Sequence, residues 1–258
     1  MSLLGSRGVW TRAAGLVGTA AAFAFAMPQF SGMDPVALVM SIALLVICLG
    51  VHEAAHGWVA LKCGDTTARD LGRITLNPIP HIDPVMTILL PAMLYIGSGG
   101  RMMFGGAKPV PVSFHRLRHP WRDMSLVALA GPGSNLLLAV LFLAALKFFV
   151  RTGYYNGAAP DVYDRFGDFL PRVLATTVSF NTVLAVFNMV PIPPLDGSRV
   201  MAWLLPDGLR QTYVGLERFG MVFIFALLYL VPAFNQYLSS AVNSVFRVLD
   251  ALVPIGIG

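Results

Sequence analysis

Long apolar runs alternate with short polar connections along this chain. Apolar residues dominate 13–30, 35–61, 124–150, 173–190 and 214–231, and about 20 such residues suffice to cross a bilayer as a helix. A further run at 237–253 is a short span or an interfacial helix. The run at 84–96 is shorter and is broken by Pro91. It reads as a re-entrant hairpin, because irregular backbone is tolerated at membrane depth where protein buries it. Residues 73–76 and 108–112, on its two sides, have a β-like character. The pattern predicts an all-α polytopic membrane protein with about five to six transmembrane helices, a re-entrant hairpin and short β pieces.

Composition agrees. Of 258 residues, 56% are hydrophobic and 12% charged, with a mean hydropathy of +0.71; a soluble domain carries about 25% charge. The net charge of +5 is spread between apolar segments, which excludes a nucleic-acid partner and fits loops facing the cytoplasm. Lys62, Arg69, Arg73, Arg101, Lys108, Arg116, Arg118 and Arg122 make 62–122 the most basic connection, so the positive-inside rule places it on the cytoplasmic face. A single crossing at 84–96 would divide those charges between two sides; a hairpin keeps them on one. The first apolar run competes with a signal peptide, since Ala24-Phe25-Ala26 resembles a cleavage site, and a retained helix is the expectation. Cys48 and Cys63 have no metal-like spacing and imply no disulfide framework.

The chemistry concentrates in Val51-His52-Glu53-Ala54-Ala55-His56-Gly57. Histidines four apart share one helix face and can hold one metal ion, and the glutamate between them can act on a water held there. Glu53 is one of only two glutamates in the chain, and ionisable residues at membrane depth normally mark function. A catalytic zinc takes three protein ligands. Asp196, after Pro191-Ile192-Pro193-Pro194-Leu195 and before Gly197, is the first candidate for the third; on local sequence a metal ligand and a helix N-cap stand level. His81 and Asp83 are rivals, with a structural role in their loop the stronger reading. His115 and His119 lie among arginines, where solvated surface is the default. With Glu53 as general base the reaction is amide hydrolysis.

Two motifs make the chain resemble the site-2 protease family of intramembrane zinc metalloproteases: His52-Glu53-Ala54-Ala55-His56, and Asn188-Met189-Val190-Pro191-Ile192-Pro193-Pro194-Leu195-Asp196-Gly197. Ala130-Gly131-Pro132 with Asn135 also fits. The resemblance implies that His52, His56 and Asp196 bind Zn2+, that Glu53 is catalytic and that Asn188 contacts substrate. The resemblance covers a catalytic core at 35–206, and the apolar pattern adds an N-terminal transmembrane helix at 1–34 and C-terminal transmembrane or interfacial helices at 207–258. The compact branch, without PDZ or CBS domains, is the expected one. The expected activity is cleavage in or near transmembrane segments of membrane proteins, in regulated intramembrane proteolysis. The expected setting is a bacterial-type plasma membrane, with the zinc site toward the cytoplasm and the lipid bilayer and transmembrane protein substrates as partners. Alternatives are a membrane zinc-binding or transport protein and an inactive protease-like scaffold. A carrier should place polar residues along several spans, whereas here they gather at one depth; the intact Glu53 argues against a scaffold.

Overall fold

The computed structural model describes residues 35–99, 103–152 and 169–254. The first apolar run and the connection at 153–168 lie outside the described residues.

Helix α1 (Pro35–Lys62) is followed by a short α2 (Thr67–Asp70). A 3₁₀ turn (Ile79–His81) leads into a π-helical turn (Pro84–Leu89), which runs directly into α3 (Leu90–Gly97). After a second 3₁₀ turn (Phe114–Arg116) come α4 (Pro120–Arg151), α5 (Phe169–Asn188) and α6 (Asp196–Leu204). The chain ends in α7 (Asp207–Gly215), a 3₁₀ turn (Leu216–Phe219), α8 (Gly220–Leu230) and α9 (Pro232–Leu252).

Among the described residues, four helical stretches are long and apolar enough to cross a membrane: Leu38–Lys62, Pro120–Arg151, Phe169–Asn188 and Asp207–Leu228. Helix α4 is central, packing against α1, α5 and α6. On α1 the buried stripe is Ser41, Leu45, Leu49, His52, His56 and Ala60, spaced three or four apart as one helix face requires. The two histidines therefore ride on the face that α1 turns toward the bundle. Val36, Val39, Ile47 and Trp58 are exposed, as expected for a surface that meets lipid.

The segment 84–97 packs beside the middle of α1, and the chain then turns back onto its start. The Gly106 N–H donates to the Met86 carbonyl at 3.0 Å, and the Thr87 hydroxyl to the Gly106 carbonyl at 2.6 Å. Tyr95 and Met103 are buried in one cluster with Leu45, Cys48 and Leu49 of α1.

The expected β pieces are a correction. Among the described residues there is no strand, and 73–76 and 108–112 are irregular extended chain. Pro109 and Pro111 have no N–H to give to a ladder. The donors beside them go elsewhere: Lys108 N–H to the His81 carbonyl at 2.8 Å and Val110 N–H to the Glu53 carboxylate at 2.7 Å. Arg73 meets this segment through its guanidinium, which donates to the Lys108 carbonyl at 2.8 Å. Side chains and prolines thus replace cross-strand pairing.

Candidate metal centre

His52 and His56 are both buried. Their Nε2 atoms lie 3.0 Å apart, and the Oδ2 of Asp196 lies 3.1 Å from the first and 3.4 Å from the second. Three segments far apart in sequence make this meeting. Helix α1 supplies the histidines, α4 supplies the wall behind them, and the turn after α5 supplies Asp196.

The turn explains Asp196. After α5 the chain reverses through Pro191–Pro194, with a cis bond between Pro193 and Pro194. A Cβ on Gly197 would sit 2.2 Å from the Met189 carbonyl oxygen, so only glycine lets the chain fold back this closely. Helix α6 begins at Asp196 with Leu195 in the capping position and no side-chain cap bond. Asp196 is therefore not the N-cap that was its rival reading; its carboxylate faces the histidines.

The outer nitrogens are fixed by a chain of bonds whose directions are forced. Asn181 donates its Nδ2 to the Thr177 carbonyl at 2.8 Å, and a carbonyl can only accept. The Asn181 Oδ1 therefore accepts from Asn135 Nδ2 at 2.8 Å. That leaves Asn135 Oδ1 facing His52 Nδ1 at 2.6 Å, so Nδ1 carries the proton. His56 Nδ1 donates likewise to the Val127 carbonyl at 2.7 Å. Both Nε2 atoms then present bare lone pairs to the centre, the arrangement in which imidazole ligates metal.

Three buried lone-pair donors within 3.0–3.4 Å repel one another and call for a cation among them. The edge of a tetrahedral zinc site with ligand bonds near 2.0–2.1 Å is about 3.3 Å, so the donor set fits zinc. Gly131 of α4 forms the back of the cradle. A Cβ there would lie 2.5 Å from His52 Cε1, His52 Nε2 and His56 Nε2.

Glu53 is half-buried on the neighbouring face, and its Oε2 accepts from Val110 N–H. His52, Glu53 and His56 each offer a donor atom within 4.8 Å of the others. Asn188, at the end of α5, turns its amide back onto its own helix and donates to the Leu184 carbonyl at 3.0 Å.

The loop rivals are structural. His81 is buried, with Nε2 3.1 Å from the Thr75 carbonyl. Asp83 caps the π-helical turn, accepting from Val85 N–H at 2.9 Å and Met86 N–H at 2.8 Å. A cavity of about 340 Å³ lies between Val51, Ala54, Ala55 and Trp58 of α1 and the 74–76 segment. Those residues form the α1 face turned away from the histidines, so it is not the metal centre.

Sequence reasoning missed Asn181 and met Gly131 only as part of a segment that fits the resemblance. The available signal was the asparagine itself, a polar side chain inside an apolar span.

The profile of Peptidase family M50 matches residues 40–164. YwhC of Bacillus subtilis is 36% identical over 200 residues, covering 78% of this chain and 84% of the relative. Rip2 of Mycobacterium tuberculosis is 30% identical over 212 residues, 81% and 73% of the two chains. MJ0611 of Methanocaldococcus jannaschii is 29% identical over 189 residues, 71% and 78%. All three carry "zinc metalloprotease" in their names. No solved structure matches the chain significantly. The chain belongs to peptidase family M50, the site-2 protease family.

Proposed function

We propose that this protein is an intramembrane zinc metalloprotease that hydrolyses peptide bonds in or near the transmembrane segments of other membrane proteins, as a step of regulated intramembrane proteolysis. The observation that carries the reading is the convergence of His52 Nε2, His56 Nε2 and Asp196 Oδ2 within 3.0–3.4 Å, with Glu53 beside them on α1. The core is 35–206, flanked on its C-terminal side by the helices from 207 onward, and 84–97 enters the membrane as a re-entrant hairpin.

His52, His56 and Asp196 hold the metal. Bound zinc supplies a Lewis acid that polarises the scissile carbonyl and brings the pKa of a water toward ~7. Glu53 takes a proton from the attacking water and returns it to the leaving amine. Asn135 and the Val127 carbonyl keep both imidazoles in the ligating tautomer. Asn188 contacts the substrate beside Asp196.

A helical substrate hides its amides, so it reaches Glu53 only after local unwinding, held in extended form along the 62–122 connection. Lys108 and Val110 already give their N–H groups to His81 and Glu53. Pairing then falls to the carbonyl edge of that segment or to Arg73–Leu76.

Purified Glu53→Gln is expected to lose cleavage of single-span test segments while keeping its zinc, since Glu53 is no ligand. Asp196→Ala is expected to lose both, and His81→Ala neither. Metal analysis and gel assays read all three; cleavage by Glu53→Gln at near wild-type rate sinks the mechanism.

A further inference from the structure

We propose that the backbone N–H of Val110, the one donor between Pro109 and Pro111, positions the Glu53 carboxylate, so that the Pro-Val-Pro strap belongs to the working site rather than serving as a passive connection. This rests on the reading of Glu53 as the base.

The bond is a charge-assisted one: Val110 N–H to Glu53 Oε2 at 2.7 Å, from a residue that is buried. The last torsion of a glutamate is broad and soft. Left alone, the carboxylate swings; with Oε2 tied to the strap, the carboxylate is held in one orientation.

The sequence makes this donor selective. Prolines have no N–H, so a slip of one residue in either direction would bring Pro109 or Pro111 to the carboxylate and leave it without a partner. A one-residue slip is thereby excluded.

That register is held by packing. Gly57 lies four residues after Glu53, so it shares the same face of α1. A Cβ at Gly57 would lie 3.2 Å from Val110 Cγ1, 3.1 Å from Ile74 Cγ1 and 3.3 Å from Ala68 Cβ. The valine is seated on the bare glycine, and its own amide is thereby directed at Glu53. The strap is fastened at both ends too. Lys108 N–H bonds the His81 carbonyl at 2.8 Å, the Lys108 carbonyl accepts from Arg73, and Ser113 N–H bonds Asp65 Oδ2 at 2.6 Å. His81 thus acts at a distance, as an anchor of the strap.

The test has two arms on the full-length protein. In the metal-free protein, the Val110 amide proton is expected downfield by NMR and is expected to move upfield in Glu53→Ala. In the zinc-loaded protein, residue 110 is replaced by the α-hydroxy acid of valine. This ester keeps the side chain and removes the N–H. It is compared with Val110→Ala, which keeps the N–H and removes the methyls. The probe is the single-span segment that wild type cuts fastest from a co-expressed library.

The ester is expected to lower kcat by about 10–100-fold, the scale of losing a positioned group, with KM and zinc content unchanged and with Val110→Ala affected at least several-fold less. Equal losses in the ester and in Val110→Ala, a rise in KM alone, or an amide shift indifferent to Glu53→Ala each overturn the proposal. If Glu53→Gln is inactive while the ester matches Val110→Ala, the strap fails and the base survives. If wild type cuts no segment, or Glu53→Gln still cuts, it is the protease reading that fails.

Discussion

Gly131 shows how much of the centre depends on one missing carbon. Its Cβ would fall 2.5 Å from three imidazole atoms, a separation that neither a helix backbone nor two hydrogen-bonded rings can relieve. Gly131→Ala is therefore expected to lose zinc and activity together while the helices still form, checked by metal analysis alongside circular dichroism. Asn181 acts at longer reach. Its bond to the Thr177 carbonyl sets the direction of every later link to His52. Asn181→Leu frees Asn135 to rotate and present Nδ2 to the imidazole. Loss of such an orienting partner typically costs about 10–100-fold in metal affinity, which competition with a zinc chelator would measure. Asn181→Asp can still accept from Asn135 and is expected to lose less; equal losses in the two variants would mean that the bond direction is unimportant. Neither role was legible in the sequence. The partners of Gly131 and Asn135 lie on other helices, and their effect is one of distance and direction, which no local pattern encodes. The histidines and Glu53 were legible because their partners are one helical turn away. Asp196 was half legible. Its type and surroundings marked a turn, but only the close approach at Gly197 shows that the carboxylate faces the histidines instead of capping α6.

Among the elements, the spans were readable from length and apolarity, since the interior of a bilayer demands both. The 73–76 and 108–112 pieces were misread because an extended segment and a strand look alike until the partners of its N–H groups are known. Here the partners are the Glu53 carboxylate and the carbonyls of Ala68 and His81. Asp65 is one of these fastenings. It is fully buried just past the end of α1 and accepts from Thr67 N–H at 3.0 Å and Ser113 N–H at 2.6 Å. Burial pushes its carboxyl up, but the Thr67 hydroxyl and these two amides outweigh it and hold the carboxyl below its usual range. A depressed carboxyl stabilises the fold above its unfolded value of about 3.9, and that contribution fades as pH falls through the lower folded value. Asp65→Asn is thus expected to unfold roughly 3–10 °C below wild type at neutral pH, the scale of one or two charged hydrogen bonds. The gap should close below about pH 4. Thermal melts in detergent at several pH values read this; a gap unchanged by pH would show that the ionised carboxylate is not what fastens the strap.

For the whole molecule the open geometric question is which ends share a side of the membrane. Helix α1 ends at Lys62 and α4 begins at Pro120. The two ends are bound together: Arg118 N–H donates to the Cys63 carbonyl at 3.1 Å, and Ser113 meets Asp65. Whatever 84–97 does between them, both ends must emerge on one face. Segment 84–97 is followed by a return that brings Gly106 back to Met86 and Thr87, the contact the proposed hairpin would make. With that hairpin, the positive-inside rule predicts that the described Lys and Arg residues of 62–122 face the cytoplasm. Helix α4, at 32 residues, is long enough to carry Thr152 to the opposite face. Single cysteines at the exposed positions 71, 115 and 152, introduced into a Cys48→Ala/Cys63→Ala background, settle the arrangement. In intact cells an impermeant thiol reagent is expected to reach 152 only, and in inverted vesicles 71 and 115 only. Labelling of 71 and 115 from different sides would make 84–97 a true span, separate the basic residues, and remove the ground for a cytoplasmic zinc centre.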